Sequence, residues 1–114
     1  MKPFLKVMKA LSDPSRIKIM KMLQQKMMCV CEMQAVLQIA QSTTSKHLQI
    51  LEDAGLITKK KDGLWVNYMI ADGKESPYAA SMIGNLKHWM SKEPEIQKLI
   101  ELLPGIDRSN ICGR

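Results

Sequence analysis

The fold is decided by residues 39–70, which read IAQSTTSKHLQILEDAGLITKKKDGLWVNYMI. Within this stretch, residues 42–54 carry apolar side chains at helical spacing, among them Leu48 and Leu51. This spacing is typical of an amphipathic helix with one face in the core. Ser42 is a good N-cap residue, so the helix is predicted to begin there.

A β-hairpin is predicted directly after this helix. Gly55 suits the position behind a helix where the backbone takes a positive φ. Two runs of strand-forming residues follow, 56–61 and 64–70. Asp62-Gly63 between them is typical of a tight type I′ turn, in which both central residues take positive φ.

A shorter helix is predicted at residues 31–37, and residues 39–41 form the turn that separates it from the longer one. Two helices joined by a turn of three or four residues are a helix-turn-helix. A hairpin behind the second helix is a wing. We therefore predict a mainly α fold with one β-hairpin, a winged helix-turn-helix.

Apolar periodicity predicts helices in the flanking parts of the chain as well, at residues 2–11, 14–25, 78–90 and 94–103. Asp13 is placed to cap the second of them, whose Lys18 and Lys21 are expected to face outward. Residues 1–105 then form one domain, and residues 106–114 form an irregular tail that carries Cys112.

Composition and charge narrow the class of protein. The chain has 114 residues and a net charge of +6, and 46% of it is hydrophobic, as in soluble globular proteins. Residues 1–26 carry seven basic side chains and one acidic one, which suggests an electropositive face for a polyanion. No stretch is apolar enough to span a membrane and no signal peptide is recognised, so a cytoplasmic protein is expected.

The cysteines are the chemical centre of the sequence. Their odd number, three, argues against a disulfide framework and leaves free thiols, metal ligands or redox sensors. Cys29 and Cys31 are two residues apart, which is about 200° on a regular helix, so they bind one ion only where the backbone is extended or unwound. The start of the third helix meets this condition. Its N-terminus is also expected to favour the thiolate form.

Three motifs in order resemble the ArsR/SmtB family of metal-sensing repressors. They are LSDPSRIKIM at residues 11–20, CVCE at 29–32 and STTSKHLQILEDAGLI at 42–57, and the resemblance spans about residues 4–70. It implies a winged helix-turn-helix homodimer, joined through its first and last helices, that loses affinity for its operator when the effector binds. The expected interface residues are Phe4, Leu5, Met8, Met82, Leu86 and Trp89.

The resemblance also indicates the effector. Arsenical sensors of the family carry Cys-Val-Cys at this position and take a third Cys three residues later, where this chain has Gln34. Trivalent arsenic and antimony prefer three thiolates, so Cys112 is expected to complete a site for As(III) or Sb(III) with Cys29 and Cys31. The tail behind residue 103 is long enough, at roughly 30 Å, to close the site within one subunit or across the dimer.

The predicted recognition helix presents polar side chains to the major groove of double-stranded operator DNA. The wing adds a lysine run for phosphate contact, although Leu64 stands where family members often have Arg. Ser42 also suits a capping role, and His47 also suits orienting the helix. The candidate DNA contacts are Gln41, Ser42, Thr43, Thr44, Lys46, His47, Lys59, Lys60 and Lys61.

Two other signals remain open for a repressor of this fold. Cadmium, lead or zinc also bind such cysteine pairs, but they generally need four ligands, of which Glu32 is a candidate. Alternatively, Cys29 is a redox sensor together with Cys31 or Cys112. An enzyme is not expected, because the chain has no phosphate-binding loop, no Cys-His arrangement and no carboxylate pair.

Overall fold

The computed structural model describes residues 1–107 and 111–112, so residues 108–110 and 113–114 of the predicted tail lie outside it. The helices are α1 (Lys2–Ala10), α2 (Pro14–Gln25), α3 (Val30–Leu37), α4 (Gln41–Asp53), α5 (Pro77–Leu86) and α6 (Pro94–Leu102), followed by a 3-10 helix (Leu103–Gly105). The strands are β1 (Met28–Cys29), β2 (Ile57–Asp62) and β3 (Trp65–Ile70). The predicted class, mainly α with a β-hairpin, is confirmed.

Helix α2 runs through the middle of the core. Asp13 caps it as predicted, because its Oδ1 accepts hydrogen bonds from the backbone N–H of Ser15 at 2.8 Å and of Arg16 at 3.2 Å. Five consecutive residues of α2, 19–23, are buried, since the helix packs against α3, α4, α6 and β3. Lys21 is one of them, so the prediction that it faces outward is wrong.

The turn between α3 and α4 is shorter than expected. Gln38 ends α3 in the left-handed conformation with φ 56°, and α4 already begins at Gln41 with Ala40 as its N-cap. The predicted capping by Ser42 is therefore wrong, because Ser42 lies inside the first turn. The Oγ1 of Thr44 instead donates a hydrogen bond of 2.9 Å to the carbonyl oxygen of Ala40.

The wing has a different turn from the predicted one. Asp62 pairs with Trp65, so the two turn residues are Gly63 and Leu64 rather than Asp62 and Gly63. Of these two only Gly63 has a positive φ, of 62°. Glycine at the first central position is the pattern of a type II′ turn, which needs one positive φ rather than two. Leu64 consequently stands at the tip.

The sheet has a third strand, β1, that was not predicted from the sequence. Strand β1 pairs antiparallel with β3, with Met28 opposite Tyr68 and Cys29 opposite Asn67. The strand order is β1-β3-β2, so the wing is joined directly to the segment that carries the first thiol.

The C-terminal part differs from the prediction in one helix. Helix α5 ends at Leu86 instead of continuing to Met90, and Met90 has a positive φ of 62°. The buried Lys21 amine donates hydrogen bonds to the carbonyl oxygens of Leu86 (2.7 Å) and Trp89 (3.0 Å). It therefore satisfies the carbonyl group of Leu86, which a helix continuing to Met90 would have bonded internally, together with that of Trp89.

Helices α1 and α5 pack against each other, whereas α6 packs against α2. This packing is within one subunit, so the expectation that the first and last helices join two subunits stays a prediction. The helix beside α1 is α5, and the ring of Phe4 meets that of Tyr78 edge-on at 5.4 Å between centroids. Among the described residues, no helix is both long and apolar enough to cross a bilayer.

Candidate functional site: a three-sulfur cluster beside a DNA-facing helix

The junction of β1 and α3 brings Cys29 and Cys31 to the same side. Cys29 is the N-cap of α3 and has an extended backbone, with φ −92° and ψ 170°, while Cys31 lies in the first turn. Because Cys29 precedes the helix, the two side chains are not held about 200° apart, as they would be within a regular helix. The two Sγ atoms are 3.5 Å apart.

A capping box holds this junction in place. The backbone N–H of Cys29 donates a hydrogen bond of 2.9 Å to Oε1 of Glu32, and the Cys29 sulfur accepts one from the backbone N–H of Glu32. Each residue thus satisfies an N–H group of the other at the helix start. Glu32 is buried, and its carboxylate is hydrogen-bonded at the start of the helix. It is therefore not free to serve as an oxygen ligand.

Cys112 joins the pair from the C-terminal end of the chain. The Sγ atoms of Cys29, Cys31 and Cys112 all lie within 4.8 Å of one another. Cys112 is bonded to Cys31 in a disulfide whose Cα atoms are 5.9 Å apart. The structure therefore closes the cluster within one subunit, across 81 residues of sequence.

The thiol of Cys29 does not have the expected tendency to ionise. Burial raises its pKa, because the thiolate loses contact with water. The N–H of Glu32 at the helix start lowers the pKa, but the Glu32 carboxylate raises it again. The prediction that the helix N-terminus favours the thiolate therefore fails for Cys29, since burial outweighs it.

The three sulfurs fit a shared soft ion. Thiolates that bind one ion through bonds of about 2.3 Å lie no more than about 4.6 Å apart, close to the spacing of the cluster. Within residues 1–107 and 111–112, no His, Asp or Glu joins the three cysteines to supply a fourth ligand. Gln34, at the position of the expected third Cys, lines an open cavity of about 430 Å³ beside Cys31.

The N-terminal half of α4 offers most of its predicted DNA-contact residues to solvent. Gln41, Ser42, Thr43 and Lys46 are exposed, and so is Ser45, which the sequence analysis did not name. Ser45 follows Ser42 by three residues and Gln41 by four, so helical spacing alone was the signal for it. Thr44 is 0% exposed and hydrogen-bonded to its own helix. It cannot contact DNA, so that prediction is wrong.

His47 orients the helix through Arg16, which the sequence analysis also did not single out. A terminal guanidinium nitrogen of Arg16 lies 3.1 Å from Nδ1 of His47. The Nε of Arg16 donates a hydrogen bond of 2.7 Å to the carbonyl oxygen of Ala10. Arg16 thus ties α4 to the end of α1, and its place within the quoted motif at residues 11–20 was the available signal.

The wing lysines are placed as expected for a basic surface. Lys59, Lys60 and Lys61 are exposed along β2, and Nζ of Lys59 lies 3.5 Å from Oε1 of Glu52 on α4. The ion pair links the wing to the recognition helix. Leu64 at the wing tip is 76% exposed.

The expected dimer surface is only partly available. Phe4, Leu5 and Trp89 are exposed, and Met8 and Met82 are half-buried. Leu86 is 1% exposed and belongs to the core, because it lies on the inner face of α5. It offers no surface to a second copy, and this part of the prediction is corrected.

Comparisons with known proteins agree with this architecture. The model of the family described as bacterial regulatory protein, arsR family, matches residues 13–59. A helix-turn-helix-type transcriptional regulator of Methanocaldococcus jannaschii is 41% identical over 69 residues, which are 60% of this chain and 78% of that protein. Two resistance regulators are also similar, although each match spans less than two thirds of the relative's length.

One of these two is the arsenical resistance operon repressor of Bacillus subtilis, which is 43% identical over 65 residues, 56% of this chain and 62% of the relative. The other is a homologue of the cadmium resistance regulatory protein CadC from Staphylococcus aureus, 37% identical over 68 residues, 59% of this chain and 56% of the relative.

Solved structures show the same fold. HlyU from Vibrio cholerae superposes with a TM-score of 0.66 at 26% identity and covers 80% of this chain and 95% of its own. A homodimeric winged helix-turn-helix DNA-binding domain from Mycobacterium bovis has a TM-score of 0.64 at 24% identity, with 75% of this chain and 76% of its own covered. With its ordered motifs, its wing and these relatives, the chain belongs to the ArsR family of transcriptional regulators and has the winged helix-turn-helix fold.

Proposed function

We propose that the chain is a metalloid-responsive repressor that releases its operator when As(III) or Sb(III) binds the thiolates of Cys29, Cys31 and Cys112. The observation that carries this proposal is the cluster of three sulfur atoms within 4.8 Å of one another, with no fourth ligand group among the described residues. Trivalent arsenic and antimony take three thiolates in a pyramid. Cadmium, lead and zinc generally need a fourth ligand.

Binding of the ion requires all three cysteines as thiolates. The disulfide between Cys31 and Cys112 must first be reduced, for instance by two molecules of a thiol such as glutathione, which supply two electrons and two protons and leave as their own disulfide. Each thiol then replaces one hydroxyl group of the metalloid, so that a sulfur–metalloid bond forms, a metalloid–oxygen bond breaks, and the thiol proton leaves with the hydroxyl group as water. Burial raises the pKa of Cys29, so the loss of its proton makes ion binding less favourable than it would be at an exposed thiol.

The DNA-binding part of the proposal rests on α4 and the wing. The exposed polar side chains at the start of α4 suit base edges and phosphates, and the three wing lysines suit phosphates. A homodimer through the exposed apolar residues of α1 and of the segment behind α5 would present two such helices to two half-sites.

Helix α3 couples the two sites. Its N-terminus carries Cys31, and its body packs against α4 through buried residues such as Met33 and Leu48. An ion that draws three sulfurs into a pyramid changes the start of α3 and thereby the aim of α4. Release follows only if the ion binds the DNA-incompetent state more tightly, with a coupling of about 1–3 kcal/mol, or about 5–150-fold in operator affinity.

The test is a titration of the fully reduced protein on a DNA duplex selected from a random pool. Arsenite is expected to weaken binding by that factor for the unaltered chain and not for Cys29→Ser/Cys31→Ser. The matched control is Gln34→Ala, which changes α3 beside Cys31 without removing a sulfur and should keep the response. Release of DNA from the double cysteine variant on addition of arsenite would refute the proposal.

A second candidate signal is thiol oxidation, which the bond between Cys31 and Cys112 favours. Cys29→Ser separates the two signals, because it removes a metalloid ligand but leaves the disulfide pair intact. A metalloid sensor with this substitution no longer responds to arsenite. An oxidation sensor still releases DNA on addition of peroxide.

A further inference from the structure

Lys26 links the two segments of the chain whose cysteines meet at the sulfur cluster. It follows the last residue of α2, and its Nζ donates hydrogen bonds to the carbonyl oxygens of Leu103 at 3.1 Å and of Ile106 at 2.7 Å. These carbonyls close the 3-10 helix behind α6. A cation suits this place, because carbonyl groups at the end of a helix carry partial negative charge and have room for a further donor.

Both segments that Lys26 links lead directly to cysteines of the cluster. Cys29 lies three residues behind Lys26, and Cys112 lies six residues behind Ile106. One ammonium group therefore holds both segments near the points from which their sulfur atoms converge. Ile106 also packs against the core, and its N–H donates a hydrogen bond to the carbonyl oxygen of Leu103 at 3.0 Å. The tail leaves the domain from a fixed point.

We propose that Lys26 is a positioning residue that raises the effective concentration of Cys112 at the Cys29–Cys31 pair. The benefit of this positioning rests on the proposed metalloid response. The hydrogen bonds of Lys26 themselves form without an ion. Two sites joined through a well-anchored segment meet at a higher effective concentration than sites joined through a loose one. Without Lys26, the carbonyl groups of Leu103 and Ile106 lose the bonds that tie this segment to the end of α2, so its attachment there is looser.

The first experiment measures this effective concentration without any metalloid. In a Cys29→Ser background, the Cys31–Cys112 disulfide is equilibrated with glutathione, so that the two protein thiols and one oxidised glutathione give the protein disulfide and two reduced glutathiones. Lys26→Met keeps the length of the side chain but removes its donors. We expect it to lower the equilibrium constant about tenfold or more, since two charge-assisted hydrogen bonds are lost.

Two further variants separate positioning from a general loss of stability. Lys26→Arg keeps a charged donor and should restore the equilibrium to within about threefold. Lys18→Met removes the pair between Lys18 and Glu95, 3.6 Å apart, which also links α2 to the C-terminal part but bonds to no carbonyl of the tail. It should leave the equilibrium unchanged. Lys26→Gln serves in place of Lys26→Met if that variant does not fold.

The second experiment measures arsenite affinity of the fully reduced chain. Lys26→Met should weaken binding when Cys112 is present and have no effect in a Cys112→Ser background. The inference is overturned if the disulfide equilibrium is unchanged by Lys26→Met, if Lys18→Met lowers it equally, or if Lys26→Met weakens arsenite binding equally without Cys112. If arsenite releases DNA from no variant, the proposed function fails while the glutathione experiment still decides the role of Lys26.

Discussion

Thr43 and Thr44 are neighbours at the start of α4 with opposite surroundings. Thr43 is exposed on the polar face, whereas the hydroxyl of Thr44 is buried and bonded to Ala40. Thr43→Val should weaken DNA binding about fivefold and leave the stability unchanged. Thr44→Val should lower the free energy of unfolding by about 1 kcal/mol and leave DNA affinity unchanged. Fluorescence anisotropy with DNA and denaturant unfolding measure the two effects, and equal loss of DNA affinity in both variants would contradict this assignment.

Asp13 gives the stability a defined dependence on pH. Burial raises the pKa of its carboxyl, but the N–H groups of Arg16 and Ser15 and the charge of Arg16 outweigh this, so the pKa lies below 3.8. The stabilisation is therefore fully present above pH 3.8 and is lost as the pH falls through the lowered value. Asp13→Ala should cost about 1 kcal/mol at pH 6.

The same comparison at acid pH provides the control. Because the carboxylate of the unaltered chain becomes protonated there, the difference in unfolding free energy between the two proteins should shrink as the pH falls below 3.8. A difference that stays constant from pH 6 to the acid limit would show that the cap does not depend on the charge of Asp13.

At the scale of the elements, Lys21 determines where α5 ends. Lys21 is 2% exposed, and burial lowers the pKa of its amine below 10.5. The charged form is therefore less favourable in the fold than in the unfolded chain, and stability should rise with pH between the lowered pKa and 10.5. Lys21→Met removes this slope. It also leaves the carbonyl groups of Leu86 and Trp89 without this donor and should cost about 1–3 kcal/mol.

Denaturant unfolding as a function of pH tests this prediction. Lys18→Met is the matched control on the same helix, because Lys18 has a partner, Glu95, that is largely in water. Surface ion pairs of this kind contribute about 0–1 kcal/mol. Equal losses in the two variants would mean that Lys21 does not hold the end of α5.

A substitution at the wing tip is expected to strengthen DNA binding. Leu64 occupies the exposed second position of the turn, where resembling family members often carry Arg. Leu64→Arg should strengthen DNA binding and make the dependence of log affinity on log salt steeper by about one charge. Leu64→Gln, a polar control without charge, should not change the salt dependence. An unchanged slope for Leu64→Arg would show that the tip does not reach a phosphate.

At the scale of the whole molecule, the exposed apolar residues of α1 and of the segment behind α5 predict where two copies meet. Leu5 and Trp89 are about half exposed, and Phe4, next to Leu5 in the sequence, has an exposed ring that meets the exposed ring of Tyr78. Adjoining exposed apolar side chains of this kind are typical of a protein–protein interface. Leu5→Glu should shift the protein to monomers in analytical ultracentrifugation. It should also weaken DNA binding, because the two recognition helices are no longer linked.

Leu102 supplies the control for this surface. It is similarly exposed but lies on α6, whose main packing partner among the helices is α2. Leu102→Glu should leave the dimer intact. If Leu102→Glu dissociates the protein and Leu5→Glu does not, the interface includes α6 and excludes α1.

Prediction from the sequence succeeded where neighbours along the chain decide the structure. The cap at Asp13, the helix end at Gly55 and the apolar faces of the helices depend on residues within one or two turns. The predicted positions of the α3–α4 turn and of the wing turn were slightly displaced along the chain. There, a shift of one residue costs little locally, and the packing of the flanking elements chooses the register.

For the candidate site, too, local features were predicted from the sequence and long-range contacts were not. The motif around Cys29 and Cys31 and the resemblance to the family were visible in the sequence, because the residues concerned are close together in it. The resemblance also indicated that Cys112 joins them, but left open whether it does so within one subunit or across a dimer. The bond of Cys112 to Cys31 of the same subunit, the burial of Lys21 and the bonds of Lys26 to the tail were not visible. These join segments 65 or more residues apart, and only the packing of α6 against α2 determines that they meet. Local periodicity carries no information about such contacts, because burial and loop closure belong to the assembled molecule.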